Sequence, residues 1–135
     1  PWSNYIDRQR GSLLGRYTTT VDGMFEEQSA PQTMGDRQGL RQLTLSNDGT
    51  QLQIATEGMV AFSLSHFDDA QFNYDVFYGG KHPYDLVRSP QVFAHFDFWQ
   101  RGIGNRSCGG DSCLPQYMTP TGAHAFTLRF TPMAK

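Results

Sequence analysis

Pairs of carboxylates are the first side chains to consider, because many hydrolytic reactions need one acid and one base. Glu26 and Glu27 are adjacent in the sequence, so on an extended chain their side chains point to opposite faces. Asp68 and Asp69 have the same spacing and are better explained as charges at the start of a helix. Solvated loop charges are therefore the favoured interpretation of both pairs.

His95 and Asp97 lie two residues apart on a predicted strand, so both side chains leave the same face. A His-x-Asp pair can supply two ligands of a metal site, but the remaining histidines, His66, His82 and His124, show no ligand spacing. The favoured interpretation is a histidine that is hydrogen-bonded to a neighbouring carboxylate on a partly exposed face.

Cys108 and Cys113 are the two cysteines of the chain, and the two glycines between them would permit a small disulfide loop. Their spacing is not the two-residue spacing of redox motifs or zinc knuckles, and the sequence has no second cysteine pair to complete a zinc site. Free thiols are the favoured interpretation, and a disulfide is the alternative.

A long glycine-rich loop is predicted over residues 102–115, directly after an aromatic strand. Gly102-Ile103-Gly104 lacks the third glycine of a dinucleotide-binding loop and precedes no helical pattern, so it does not indicate a phosphate site. These glycines indicate a backbone that turns sharply or lies close to another group. Aromatic faces beside Asn, Asp and Arg suit a sugar ring, although Phe98, Trp99 and Tyr117 could equally be core residues.

Composition limits the elements that can position these side chains. The chain has 135 residues, of which 38% are hydrophobic and 18% charged, so it is one globular domain or a large piece of one. A net charge of -2 argues against a nucleic acid or an anionic membrane as the partner. No apolar run approaches the roughly 20 residues of a membrane helix. The start at Pro1 fits a mature product or an excised fragment, so the compartment, cytoplasmic or periplasmic, stays open.

The alternation of apolar residues with turn signals predicts an all-β fold, a sandwich or a barrel. Strands are predicted at residues 16–21, 40–45, 52–56, 60–64, 92–98 and 125–130, the last stopped by Pro132. Asn47-Asp48-Gly49 predicts a hairpin turn between two of them. One short helix is predicted over residues 68–77, with Asp68 or Asp69 as its cap. Apolar residues on both faces of the 92–98 strand predict that it is covered on both sides.

A series of segments in a fixed order carries a resemblance that covers nearly the whole chain. The segments are Pro1-Trp2-Ser3-Asn4-Tyr5-Ile6-Asp7-Arg8, Gly15-Arg16-Tyr17, Pro31-Gln32-Thr33-Met34-Gly35-Asp36-Arg37, Phe96-Asp97-Phe98-Trp99-Gln100-Arg101-Gly102-Ile103-Gly104, Ser107-Cys108-Gly109, Leu114-Pro115-Gln116-Tyr117 and the tail from Ala125 to Pro132. This series resembles the C-terminal domain of the β-galactosidases of glycoside hydrolase family two, which is a separate small chain in some members.

The sequence departs from the family pattern at a few positions. Ser3 and Ile6 stand where the family has Glu and Pro, and Thr33-Met34 stands where it has Glu-Asn. Some members carry, at the position of Cys108, a tryptophan that stacks against the bound sugar, whereas other relatives carry Ser-Cys-Gly as here.

The resemblance implies a fold and a role. The fold is a two-sheet antiparallel β super-sandwich of the galactose-mutarotase type, and residues 1–135 would be a single or partial domain that lacks its N-terminal part. The catalytic glutamates and any Mg²⁺ or Na⁺ would lie in a barrel domain outside this chain, so no catalytic residue, metal ligand or cofactor is expected here. Substrate contacts are expected from Gly104, Asn105, Arg106, Ser107 and Cys108.

The expected partners are the remaining domains of the same β-galactosidase, a β-galactoside and further copies in a homo-oligomer. Nucleic acid and membrane are not expected. Two alternatives stay open. The chain could be a free-standing carbohydrate-binding module with Trp99, Phe98 or Tyr117 as its platform, or a purely structural oligomerisation domain.

Overall fold

A computed structural model of the chain describes residues 4–27, 35–72, 81–104 and 113–134. These residues form a four-stranded antiparallel sheet of β1 (Arg37–Ser46), β2 (Thr50–Ser65), β3 (Phe93–Asp97) and β4 (Thr127–Ala134). The helical elements among them are 3-10 turns at Ile6–Gly11, Asp22–Met24, Asp69–Gln71, Pro83–Asp85 and Pro115–Tyr117. The predicted all-β antiparallel class is therefore confirmed, whereas the galactose-mutarotase type and the extent of the domain stay predictions.

The 16-residue strand β2 is the centre of the sheet. One of its edges pairs with β1, and the other pairs with β4 over residues 50–57 and with β3 over residues 61–65. Gly58, with φ of 94°, lies between these two pairings. The two strands predicted at residues 52–56 and 60–64 are thus one strand, interrupted by an irregularity at which the register with β1 shifts.

The predicted hairpin turn between β1 and β2 is confirmed. The Asn47 side-chain oxygen accepts hydrogen bonds from the backbone N–H groups of Gly49, at 3.2 Å, and Thr50, at 3.0 Å. The Asn47 N–H in turn donates to the Thr50 carbonyl at 3.1 Å. An asparagine that bonds its own backbone two residues ahead stabilises a turn locally, which is why this element was readable from the sequence.

One face of the hairpin and of β4 is apolar, and the opposite face is polar. The cross-strand pairs place on the apolar face Leu43, Leu45, Leu52, Ile54, Leu128 and Phe130. The polar face carries Thr44, Gln53 and Thr131, which are also neighbours across the strands. Ile54 is 1% exposed whereas Phe130, directly opposite it, is 54% exposed. The apolar face is therefore covered at its centre and open towards β4.

The predicted strand at residues 16–21 is wrong. These residues are irregular and mostly exposed. The Tyr17 hydroxyl donates to the Leu13 carbonyl at 2.7 Å, and the Thr20 hydroxyl oxygen accepts from the Gly23 N–H at 3.0 Å. The β-branched and aromatic side chains give this segment β-propensity, but propensity stabilises a strand only beside a partner strand.

The predicted helix over residues 68–77 is not an α-helix in its described part. Asp68 caps a 3-10 turn, because its carboxylate accepts from the Ala70 N–H at 2.9 Å, as the cap prediction required. The turn ends at Phe72, whose backbone is extended and whose side chain is buried. Residues 73–77 lie outside the described residues. No helix in the described part of the chain is long and apolar enough to cross a membrane.

The last two strands differ in detail from their predictions. β3 is confirmed, but Ala94 is exposed, so β3 is not fully covered on both sides. β4 continues through Pro132, which lies opposite Leu52, and does not stop there. Proline is tolerated in a strand that lies at an edge, because its missing N–H can face away from the neighbouring strand.

Candidate functional site

The candidate site is built around residues 102–104, which we call the glycine segment. Gly104 has φ of 83°, a conformation that glycine adopts without steric cost. The Gly104 N–H donates to Asp7 Oδ2 at 2.9 Å, and the Arg8 guanidinium donates to the Gly104 carbonyl. Asp7 and Arg8 therefore bind both backbone polar groups of Gly104, although they lie 97 and 96 residues before it in the sequence.

Gly102 is buried against the Asp7 side chain. Its N–H donates to the Tyr117 carbonyl at 3.0 Å. A Cβ atom on Gly102 would lie 2.7 Å from Asp7 Oδ2 and 3.0 Å from Tyr117 Cβ, which is closer than real Cβ contacts allow. The prediction that these glycines allow a sharp turn or a close contact of the backbone with another group is thus confirmed. Gly104 allows the turn, and Gly102 allows the close contact.

The Asp7–Arg8 pair lies in the 3-10 helix Ile6–Gly11. The Asp7 side chain is 5% exposed, and Arg8 Nη1 lies 3.4 Å from Asp7 Oδ2 and donates to the Asp7 carbonyl at 3.1 Å. The other carboxylate oxygen, Asp7 Oδ1, is buried and has no hydrogen-bond partner among the residues that the structure describes. A carboxylate that is buried away from water needs hydrogen-bond donors or a positive charge beside it. The Gly104 N–H and the Arg8 guanidinium supply these at Asp7 Oδ2.

The segment that carries this pair is attached to the start of β1. The Asn4 N–H donates to the Asp36 carbonyl at 2.9 Å, and the Asn4 side-chain oxygen accepts from the Gln38 N–H at 2.8 Å. The Arg8 N–H closes the turn by donating to the Tyr5 carbonyl at 2.8 Å. Residues 4–8 therefore connect the sheet to the glycine segment.

A second group of charges lies where this segment meets β1. Asp36 is 3% exposed, and its Oδ2 accepts from the Gln38 side chain at 2.5 Å. Burial raises the pKa of Asp36 to about 7, and the negative charge of Asp97 contributes to the rise. Burial also lowers the pKa of Arg37, which forms an ion pair with Glu26 at 3.4 Å. This group holds a carboxylate that titrates near neutral pH.

The predicted substrate-contacting residues are described only in part. Gly104 is held as set out above, whereas Asn105, Arg106, Ser107 and Cys108 lie outside the described residues. Their contacts with substrate stay predictions. The structure adds Asp7 and Arg8, to which the sequence assigned no role. The sequence contains Asp7-Arg8 in one motif and Gly102-Ile103-Gly104 in another. Their spacing in the sequence does not indicate that the two motifs are in contact.

Three of the four paired carboxylates, Glu26, Asp68 and Asp69, have structural partners. Glu26 pairs with Arg37, and Asp68 caps the turn that follows it. Asp69 Oδ2 lies 3.3 Å from His95 Nε2, so the carboxylate beside this histidine comes from a different element and not from Asp97. The described part of the chain contains no group of three or more His, Cys, Asp and Glu side chains that could hold a metal ion.

The remaining candidates are a cysteine and an aromatic cluster. Cys113 carries a free thiol and is buried, with its sulfur 3.4 Å from Met118 Sδ. Cys108 lies outside the described residues, so the redox state of the pair stays a prediction. The ring of Phe98 stacks on His124 with centroids 4.8 Å apart and on Phe126 with centroids 6.3 Å apart.

Comparison with known proteins gives a consistent result. The family model described as "Beta galactosidase small chain" matches residues 1–131. The chain is 28% identical over 131 residues to a β-galactosidase of Vibrio cholerae, with 96% of the chain and 12% of that protein aligned. It is 30% identical over 124 residues to a β-galactosidase of Aeromonas hydrophila, with 92% of the chain and 11% of that protein aligned.

A β-galactosidase of Streptococcus thermophilus is 26% identical over 127 residues, with 94% of the chain and 12% of that protein aligned. The chain thus spans about an eighth of the length of these relatives. Because the family model matches almost every residue, the chain belongs to the β-galactosidase small-chain family.

Proposed function

We propose that this chain is the C-terminal β-sandwich portion of a β-galactosidase and that the loop of residues 102–108 completes the active-site pocket of the full enzyme. The enzyme hydrolyses terminal β-D-galactosyl residues, and this portion is not catalytic alone. The observation that carries the proposal is the match over residues 1–131, which corresponds to 12% of the Vibrio cholerae relative. The larger part of such an enzyme supplies the reacting groups.

The engagement of the carboxylates supports a non-catalytic role. Hydrolysis of a glycosidic bond uses two carboxyl groups that face one another across the bond. Glu26 is paired with Arg37, Asp69 lies against His95, and Asp7 binds the glycine segment. These side chains serve the fold of this chain. We propose that the acid, the nucleophile and any Mg²⁺ or Na⁺ of the full enzyme lie in the other domains.

The backbone of the glycine segment supports a role as a pocket wall. A wall contributes by excluding water and by holding substrate in one orientation, and both need a fixed backbone. Residues 102–104 are fixed at both ends, because the Gly102 N–H donates to the Tyr117 carbonyl, the Gly104 N–H donates to the Asp7 carboxylate, and Arg8 donates to the Gly104 carbonyl. The substrate contacts that we propose for Gly104, Asn105, Arg106, Ser107 and Cys108 start at this fixed point.

The surface of the chain supports a large protein partner. Several large apolar side chains of the described residues are exposed to solvent, among them Leu13, Met59 and Phe130. The apolar face is open beside β4, and the outer edges of β1, β3 and β4 pair with no other strand of the described residues. We propose that the remaining domains of the same enzyme, together with further copies in a homo-oligomer, cover this surface.

The carbohydrate-binding module is the weaker candidate. A sugar platform needs an aromatic face that is open to solvent. His124 and Phe126 both stack on Phe98, so this ring is already occupied. Calorimetry of the chain with galactose and lactose separates the two functions: no measurable heat is expected from a wall that acts only in the full enzyme, and binding at millimolar concentrations or tighter would favour the module.

Deletion of residues 102–110 in the full-length enzyme tests the proposal. We expect a higher KM or a lower kcat for a β-galactoside, because the deletion opens one side of the pocket to water. Point substitutions at Asn105, Arg106 and Cys108 then separate a pocket wall from a structural support. A wall changes the preference among galactosides, whereas a support changes stability alone. Unchanged kinetics after the deletion would contradict the proposed function.

A further inference from the structure

We propose that Asp7 and Arg8 are positioning residues for the galactoside pocket and act through the backbone of Gly104. This inference rests on the proposed function of the loop. Neither side chain needs to touch the substrate. Their role is to fix the direction in which the chain leaves Gly104 and runs into the predicted substrate-contacting residues.

Gly104 is held by side chains at both of its backbone polar groups. Asp7 Oδ2 accepts from its N–H at 2.9 Å, and Arg8 donates to its carbonyl. With both groups bound, neither of the two peptide planes that flank Gly104 can rotate without breaking a charge-assisted hydrogen bond. At φ of 83° this glycine would otherwise have a wide choice of conformations, since it lacks a Cβ atom. The pair therefore selects one conformation out of many.

Gly102, two residues earlier, lies against the same Asp7 carboxylate. The Asp7 carboxylate occupies the space beside Gly102, where a Cβ atom would lie 2.7 Å from Oδ2. The Gly102 N–H is held by the Tyr117 carbonyl at 3.0 Å. One carboxylate thus contacts both glycines, by packing at Gly102 and by a hydrogen bond at Gly104. Asp7 therefore fixes the position of the glycine segment as well as its conformation.

The segment that carries Asp7 and Arg8 is attached to the sheet. Two hydrogen bonds attach Asn4 to the start of β1, at the Asp36 carbonyl and the Gln38 N–H. The Asp7 side chain is 5% exposed, so water competes little for its hydrogen bonds. Residues 4–8 therefore hold the glycine segment in a fixed position relative to the sheet. A loop that carries substrate contacts is most effective when a rigid scaffold positions it in this way.

The test uses the full-length β-galactosidase that contains this chain. Asp7→Ala removes the acceptor of the Gly104 N–H, and we expect KM for a β-galactoside to rise, or kcat/KM to fall, by roughly ten-fold or more. Asp7→Asn retains an oxygen acceptor and should recover part of the loss. The matched control is Asp22→Ala, because Asp22 also pairs with an arginine, Arg88, at 3.0 Å, but contacts no glycine segment. The control should leave the kinetics within two-fold of the parent enzyme.

A double-mutant cycle distinguishes positioning from a general loss of stability. Gly102→Ala places a methyl group against the Asp7 carboxylate and should also impair kcat/KM. In the Asp7→Ala background the methyl group no longer meets the carboxylate and keeps only its close contact with Tyr117 Cβ, so its effect should shrink. Melting temperatures measured in parallel show whether any variant acts by unfolding. If Asp7→Ala does not fold, Asp7→Ser replaces it in the cycle, because serine also lacks the carboxylate that the Gly102→Ala methyl group would meet.

The outcomes separate this inference from the proposed function. If deletion of residues 102–110 alters the kinetics but Asp7→Ala does not, the loop lines the pocket and the positioning role is wrong. Multiplicative effects of Asp7→Ala and Gly102→Ala would also overturn it, because they would show that the two sites act independently. If the deletion itself leaves the kinetics unchanged, the proposed function fails first.

Discussion

Asp36 and Gln38 form a buried hydrogen bond of 2.5 Å between a carboxylate oxygen and a side-chain amide, at the point where residues 4–8 attach to β1. The other carboxylate oxygen, Asp36 Oδ1, has no partner among the described residues. Asp97 adds a second negative charge nearby, and Arg37, which could compensate for it, is shared with Glu26. The ionised form of Asp36 is therefore disfavoured in the folded protein.

The raised pKa of Asp36 predicts a pH-dependent stability. Because the pKa is about 7 in the folded state and about 3.8 in the unfolded state, the folded protein binds the extra proton between these values. Stability should therefore fall as the pH rises from about 4 to about 7, by at most about 1.4 kcal/mol per pH unit for this group. Urea unfolding of the parent protein and of Asp36→Asn, measured from pH 5 to pH 8, checks this.

Asp36→Asn should be more stable than the parent protein at pH 8 and should lose this component of the pH dependence. Asp48→Asn is the control, since Asp48 lies in the exposed hairpin turn and should leave the slope unchanged. Parallel stability curves for the parent protein and Asp36→Asn would show that the Asp36 carboxylate is ionised at no cost in the fold.

Asn47 makes a second prediction, for the hairpin turn. Asn47→Ala removes the acceptor of the Gly49 and Thr50 N–H groups and should lower the free energy of unfolding by about 1 kcal/mol. Thermal or urea unfolding measures the loss, and Asn47→Asp should retain most of the stability because a carboxylate accepts the same bonds. An Asn47→Ala protein as stable as the parent would show that the strand pairing alone holds the turn.

The success and the failures of sequence-based prediction depend on how far apart in the sequence the interacting residues lie. The hairpin at Asn47 was predictable because its hydrogen bonds run between residues two and three apart. The strand at residues 16–21 was not, because β-propensity does not reveal whether a partner strand is present. The contact between Asp7 and Gly104 joins residues 97 apart, so the motifs marked both ends but nothing in either motif indicated that they meet. The series of motifs was sufficient to predict the family, whereas the contact between Asp7 and Gly104 is visible only in the structure.

Cys113 gives a prediction about thiol chemistry. Its thiol is free, buried and packed against Met118, so it should react slowly with a thiol reagent in the native protein. In denaturant without reductant, we expect both Cys108 and Cys113 to be alkylated, which mass spectrometry would detect as a shift for two thiols. An unshifted mass would show that the two cysteines form a disulfide.

The apolar face of the sheet gives the last prediction, which concerns the partner. Ile54→Ala should cost about 2 to 5 kcal/mol in any context, because Ile54 is buried within this chain. Phe130 lies opposite Ile54 across β2 and β4 and is 54% exposed, so its contribution depends on what covers the face. If the remaining domains pack there, Phe130→Ala in the full-length enzyme should be at least as costly, at about 3 to 5 kcal/mol for a buried phenylalanine.

Thr131→Ala, one residue along β4, is the matched control because its side chain lies on the polar face. We expect unfolding of the full-length enzyme to show a large loss for Phe130→Ala and a loss below about 0.5 kcal/mol for Thr131→Ala, as for most surface substitutions. The comparison separates the two faces of one strand, so a global effect of altering β4 cannot imitate it. Equal and small losses for Phe130→Ala and Thr131→Ala would show that the apolar face stays open in the full enzyme, and its partner would then have to lie along a strand edge.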